Sequence, residues 1–278
     1  MPELPVYTAT RYVQPLREGG TLPAVVETHG GGLFVAKFRG AGQGAKALVA
    51  ELLVGMMAEA AGLPVPEMAL IELLPDFGQT EPDPEIQDLL RASVGINVGL
   101  RYLDGAFNFQ PASAGDLVAP ELAARIVWLD AFTTNPDRTA RNPNLMVWDR
   151  RPWLIDHGAA LYAQHNWPTV DEARTRTPFP LIKDHVLLRM GGDLRAADAE
   201  LSARLTESVL AEIVGRLPDA LLADPALAAD FPTPDAARER YLGYLLTRVQ
   251  PPRAFVAEAI AARERAASEP PRRLHSRR

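Results

Sequence analysis

The chain of 278 residues contains no cysteine, which excludes disulfides, thiolate metal sites and a cysteine nucleophile. Its five histidines, His29, His157, His165, His185 and His275, show no HExxH or paired spacing, so zinc is not expected. No apolar run approaches the roughly 20 residues of a membrane span, and the opening MPELPVYTATRYVQPL lacks the basic start and apolar core of a secretory signal. A cytosolic protein with no membrane partner is expected. Positive charge is scarce as well: the net charge is −6, and because residues 263–278 carry +4 the rest totals −10. An acidic body argues against a nucleic-acid partner. The basic end, with Leu274 as its sole large apolar residue, reads as a solvated terminus. What the chain has in quantity is apolar residues, 47%, enough for a full core without staples.

Against these absences stands a dense stretch, residues 135–158, NPDRTARNPNLMVWDRRPWLIDHG. Asp137 and Asn142 lie five residues apart and a second carboxylate follows at Asp156. Leu145, Met146, Val147 and Trp148 form one apolar run and Trp153, Leu154 and Ile155 another, with Asp149-Arg150-Arg151-Pro152 as the turn between them. An antiparallel hairpin brings the loop before its first strand beside the residue after its second. Asp137, Asn142 and Asp156 therefore converge. Magnesium takes oxygen ligands and is usually held by one or two carboxylates plus phosphate oxygens and water, which suits Asp156 and Asn142. Asp137 would then orient a hydroxyl or accept its proton.

A second signal lies upstream. Leu33-Phe34-Val35-Ala36-Lys37-Phe38 reads as a strand with one lysine among apolar residues, and a lysine there needs a partner. Leu48, Leu52 and Met56, with Val49, Leu53 and Met57 on the adjoining strip, mark a helix that Gly62 and Pro64 end. That helix carries two candidate partners, Glu51 and Glu59. Two glycine-bearing pieces compete as a phosphate-facing loop: residues 17–21, with Gly19, Gly20 and Thr21, and residues 40–44. Thr21 and Thr28 place hydroxyls near the first. Val35, Leu70, Ile71 and residues 98–103, including Arg101 and Tyr102, supply apolar walls and a hinge for a base. Residues 76–87 read as an acidic loop, and the DFG at Asp76 precedes Asp137 by too far to bind metal with it. Residues 120–133 form a helix with Leu122, Ile126, Leu129 and Phe132 on one face. Further helices are expected at 181–190, 205–217, 235–248 and 253–265.

The pieces PLREGGTLPAVVE (15–27), LFVAKFRGAGQGAKALVAELL (33–53), GLPVPEMALIEL (62–73), WLDAFTTNPDRTARNPNLMVW (128–148) and WLIDHGAALY (153–162) together resemble the HipA-like kinases, specifically the stand-alone bacterial kinase domains. Asp137-Arg138 followed by Asn142 is also similar to the DRxxxN loop of the phosphatidylinositol 3- and 4-kinases. The resemblance implies an α+β, two-lobed protein-kinase-like fold: a small, mainly β N-lobe with one key helix, residues 1–104, and a mainly helical catalytic lobe, residues 105–262, before a basic tail. It implies ATP and magnesium as cofactors, with Lys37 on the α- and β-phosphates, Glu51 as its ion-pair partner, Asp137 as base, Asn142 and Asp156 as metal ligands, and Gly19, Gly20, Thr21, Arg101 and Tyr102 against the nucleotide. His157 stands where a DFG has phenylalanine, and its ring is expected to hydrogen-bond backbone. The expected acceptor is a protein serine or threonine, with a small molecule or lipid as the alternative and a nucleotide-sensing pseudokinase as the non-enzymatic one. An antitoxin partner is not implied.

Overall fold

Strand periodicity in the first hundred residues does most to position the chemistry. The computed structural model describes residues 3–16, 22–42, 44–79 and 81–268. Strands β1 (Val6–Pro15), β2 (Ala24–Thr28), β3 (Gly32–Lys37), β4 (Met68–Leu73) and β5 (Gly95–Arg101) close into a barrel in the order β1-β2-β3-β5-β4. Only β1 and β4 pair in parallel among them. Side chains alternate across a strand, and the register lines up a row of small residues, Ala24, Ala36, Gly99 and Ala69, inside this narrow barrel. Phe34 and Ile71 fill the remaining space. A Cβ on Gly99 would lie 2.6 Å from Cγ1 of Ile71, so no larger residue fits there. The neighbouring row, Lys37, Val98 and Leu70, faces outward, where Val98 and Leu70 join the main core.

Helix α1 (Gly44–Ala60) packs against that outward face. Every residue from Leu48 to Ala58 is buried, Glu51 included, because the helix is covered by the barrel on one side and by later helices on the other. Gly62, at φ +70°, terminates it as expected. Helix α2 (Pro84–Ala92) corrects the loop expected over 76–87. Asp83 caps it through the Glu85 N–H, Pro84 opens it, and Ile86, Leu89 and Leu90 seal the end of the barrel. Phe77 of the early DFG packs into the same cluster.

A three-stranded sheet and helices follow: β6 (Phe107–Asn108), the single-turn α3 (Pro111–Ala114), α4 (Pro120–Phe132), and the hairpin β7 (Leu145–Trp148) and β8 (Arg151–Leu154), with β6 paired to β7. The hairpin turn is shorter than expected. Asp149 and Arg150 both have positive φ, 48° and 58°, as a two-residue turn matched to strand twist requires, so Arg151 and Pro152 belong to β8. Beyond them lie α5 (Glu172–Thr175), α6 (Leu194–Arg204), α7 (Glu207–Gly215), α8 (Asp219–Leu222), α9 (Pro225–Ala228), α10 (Pro234–Val249) and α11 (Ala254–Ser268). Helix α6 was not expected, and the helix expected over 181–190 is instead a 3-10 turn, Pro180–Asp184, followed by a β-bridge from His185 to Thr139. Residues 263–268, expected as tail, continue α11. Residues 269–278 lie outside the described residues.

Helix α4 is buried along most of its length and stacks Trp128 and Phe132 against Phe255 of α11, with ring centroids 5.2–5.7 Å apart. Its C-terminal carbonyls, at Ala131 and Phe132, accept hydrogen bonds from the buried guanidinium of Arg248 on α10. The same guanidinium also reaches the carbonyls of Thr175 and Thr177. The end of α4 is thus pinned where it delivers the chain into the loop that carries Asp137.

Candidate active site

Lys37 stands at the last position of β3, in an outward row otherwise apolar. Its Nζ is 2.7 Å from Oε2 of Glu51 and 2.6 Å from Oδ1 of Asp156. Of the two candidate partners on α1, the structure selects Glu51; Glu59 is exposed. Glu51 Oε2 also accepts from the backbone N–H of His157 at 2.7 Å, while Oε1 is buried with no partner among the described residues. Three groups share charge here. Burial pulls the Lys37 ammonium down, but Glu51 and Asp156 more than offset it, so its pKa is raised. Burial pushes the Glu51 carboxyl up in spite of Lys37. Burial also acts upward on Asp156, yet Lys37 beside it holds that carboxyl below its ordinary value. Asp156 keeps 40% of its side chain exposed and adopts φ +55°, a left-handed conformation held by its surroundings.

The loop between α4 and β7 orients Asp137. Its Oδ2 accepts from the amides of Asn142 at 2.8 Å and Asn144 at 3.1 Å, and its N–H donates to Oδ1 of Asn135 at 3.1 Å. Because Asn142 donates through Nδ2, its amide oxygen is left as an oxygen donor. Thr139 braces the loop from within, its N–H reaching the carbonyls of Asp137 and Asn142.

Beneath the loop lies a charge network that the sequence did not announce. Asp130, wholly buried on α4, accepts from Arg138 Nε at 2.5 Å, His185 Nε2 at 2.9 Å and Asn135 Nδ2 at 2.9 Å. Burial alone would raise this carboxyl; Arg138 and His185 hold it far below the usual range. The Leu187 N–H donates to Nδ1 of His185, so the His185 proton sits on Nε2 and points at Asp130. The signal available was an aspartate in the middle of the otherwise apolar run IVWLDAF. Arg138 continues from Asp130 to the carbonyls of Asn144 and Ile155 and, through Nη2, to Nδ1 of His157 at 3.2 Å. The His157 ring therefore meets a guanidinium and not backbone, and burial followed by Arg138 pulls its pKa down to about 3.

The other expected contacts sort as follows. Gly19, Gly20 and Thr21 lie outside the described residues. In the rival loop at 40–44, of which Gln43 lies outside the described residues, the Gly40 N–H goes to Ser93 Oγ, those of Ala41 and Gly44 go to carbonyls of Phe38 and Ala41, and a Cβ on Gly40 would meet Ala92 at 2.7 Å. Thr28 is buried and donates to the Gly32 carbonyl. The Arg101 guanidinium is held by Glu67, at 2.7 Å, and by the Gly31 carbonyl, and lies over the Phe34 ring. The N–H groups of Arg101 and Tyr102 are also engaged, by Glu67 and Leu33 carbonyls. Two open cavities of about 500 and 590 Å³ lie elsewhere, one at the barrel end near Tyr12 and Phe77, the other between the end of α1 and β8. No three His, Cys, Asp or Glu side chains among the described residues would hold a metal by themselves.

A model of the HipA-like kinase family matches residues 10–173, more than half the chain and all the residues that meet around Lys37 and Asp137. The chain belongs to the HipA-like kinase family. The chain is similar in fold to the crystal structure of a Helicobacter pylori proinflammatory kinase, CtkA, with a TM-score of 0.53 and 11% identity over 96% of this chain and 100% of that one. No curated protein sequence matches it. No helix among its described residues is long and apolar enough to cross a membrane.

Proposed function

We propose that this HipA-like kinase transfers the γ-phosphate of ATP, with magnesium, to a hydroxyl acceptor, most simply a serine or threonine of a protein. The observation that carries the reading is Lys37 held between Glu51 and Asp156, with Asp137 and Asn142 on the neighbouring loop. In this reading the barrel with α1, residues 1–104, is a nucleotide-binding lobe and residues 105–262 a helical catalytic lobe.

The residues present suit the group they would hold. The donors are all hard oxygen, the exposed Asp156 carboxylate and the Asn142 amide oxygen, as magnesium prefers, and a nucleotide-borne magnesium needs only one or two protein ligands. Bound magnesium supplies charge neutralisation at the β- and γ-phosphates. Lys37 is kept cationic by two carboxylates and would exchange Asp156 for phosphate oxygens while keeping Glu51. Asp137, fixed by two amides on one oxygen, would turn the other toward the incoming hydroxyl and orient it or take its proton. In this reading the Tyr102 carbonyl and the Leu103 N–H, next along the chain from the engaged N–H groups, would be the peptide groups that meet a base.

The test is thermal unfolding of the parent and of Asp156→Ala with and without Mg-ATP. Nucleotide at about a hundred times its dissociation constant adds roughly 2.7 kcal/mol, or about 5 °C in a chain of this size. The shift should require magnesium, vanish in Asp156→Ala, and persist in Asp137→Asn while phosphate transfer stops. No shift in the parent would leave the family fold without the activity.

A further inference from the structure

We propose that Arg138 is the positioning residue that registers the metal-binding carboxylate with the base, gripping both neighbours of Asp156 and the asparagine that orients Asp137. The inference rests on the phosphotransfer reading above. The guanidinium is fully buried, and each of its arms ends on a segment with a stake in the site. Nη1 donates to the carbonyl of Ile155, the residue before Asp156, at 3.4 Å, and Nη2 donates to the ring of His157, the residue after it, at 3.2 Å. Nη1 also donates to the carbonyl of Asn144, whose own amide donates to Asp137 Oδ2 and whose carbonyl accepts the Ile155 N–H. Nε is anchored on Asp130, and Asp130 in turn holds Asn135, the acceptor for the Asp137 N–H.

One planar cation therefore sets the spacing between the two carboxylates that phosphoryl transfer requires in register. The geometry also explains the histidine that follows Asp156. An arginine has no acceptor, so the ring must offer a bare nitrogen, Nδ1, to close the latch. An apolar residue at 157 would leave Nη2 without that contact. Lysine at 138 would be a poor replacement, since one ammonium cannot reach the acceptors that the rigid fork of guanidinium donors spans. Metal-site supports of this kind typically change metal affinity or activity by about 10–100-fold when removed.

The test separates positioning from folding. Binding of AMP-PNP is measured by calorimetry in EDTA and in millimolar magnesium, and γ-phosphate release from Mg-ATP is followed in parallel, for the full chain, Arg138→Ala, Arg138→Lys and His157→Phe. Expected is a parent whose nucleotide affinity rises with magnesium. Arg138→Ala should keep its affinity in EDTA, lose the magnesium-dependent gain by about 10–100-fold and lose turnover by a similar factor. Millimolar guanidinium, but not sodium, should restore part of both, and lysine should not. His157→Phe leaves the Asp130 pair intact, so it folds even where Arg138→Ala does not, and should show the same loss of magnesium response to a smaller degree. An unchanged magnesium response in His157→Phe, or affinities that fall equally with and without magnesium, would overturn the proposal. A parent with no magnesium-dependent binding would instead sink the phosphotransfer reading on which it stands.

Discussion

Two ion clusters lie a few residues apart in this protein and are built on opposite plans. Around Asp130 every charge is buried and every oxygen is used: one carboxylate faces Arg138, His185 and Asn135. Around Lys37 two carboxylates crowd one ammonium, one carboxylate is partly exposed, and Glu51 Oε1 has no partner among the described residues. The Asp130 carboxylate is saturated and therefore held rigidly; the Lys37 cluster is unbalanced and therefore able to exchange a partner. A phosphate or a metal ion entering the Lys37 cluster would complete it, whereas nothing can enter the Asp130 cluster without breaking it. The comparison suggests that a functional charge site is distinguished less by the residue types than by what is left unsatisfied.

The contrast can be broken most severely at Asp130. Asp130→Ala strands a buried guanidinium, and urea unfolding should show a loss of about 3–5 kcal/mol; a loss under 1 kcal/mol would mean that the cluster is not structural. Acid should act through the histidine beneath the site. His157 is neutral in the fold, with a pKa of about 3 against an ordinary 6.5. The unfolded chain binds the extra proton, so stability is full above about pH 6.5 and falls as pH drops toward 3, by up to about 1.4 kcal/mol per pH unit. Its companion His185, also lowered by burial, acts in the same direction. Unfolding free energies of His157→Phe measured across this window should have a shallower slope than the parent's. At the Lys37 cluster the effect should fall on binding and not on stability: Asp156→Asn removes one of two competing carboxylates and should leave stability within about 1 kcal/mol of the parent while abolishing the magnesium response. The smallest effect belongs to the partly exposed pairs Arg39–Asp224 and Lys46–Asp230, with side chains 14–19% exposed, which tie the β3–α1 connection and the start of α1 to the α9 region. Asp230→Asn should cost under about 1 kcal/mol in low salt and less in high salt.

Much of the Lys37 cluster was legible because it rests on local periodicity. A lysine in an alternating strand, a glutamate on an amphipathic segment and a hairpin flanked by acids each leave a pattern in adjacent residues. The Asp130 cluster was not legible, since Asp130, Arg138, Asn144, His157 and His185 meet only through tertiary folding and none stands in a repeating pattern. Tertiary forces also explain the helix expected over 181–190. Leu181, Ile182, Val186, Leu187 and Met190 have helical spacing, but His185 spends its ring on Asp130 and the Leu187 N–H and pairs with Thr139, which a continuous helix would prevent. The expected loop over 76–87 failed in the opposite way: Asp83-Pro84 looked like turn chemistry and is in fact a helix cap and first turn. The two-residue hairpin turn escaped notice because Asp149 and Arg150 carry no glycine, yet both adopt positive φ.

The alternation that turns Lys37 outward also makes the site sensitive to changes in chain length. β3 follows β2 through a turn of three residues, His29 to Gly31; Gly32 to Ala36 are fixed opposite β2, and Phe34 to Lys37 opposite β5. A single codon inserted in or deleted from that turn would offset the register by one, carrying the lysine into the barrel and an apolar neighbour to the face opposite Glu51. Two codons together would restore the facing. In natural relatives of this chain, length variation between β2 and β3 should therefore be rare or come in even steps.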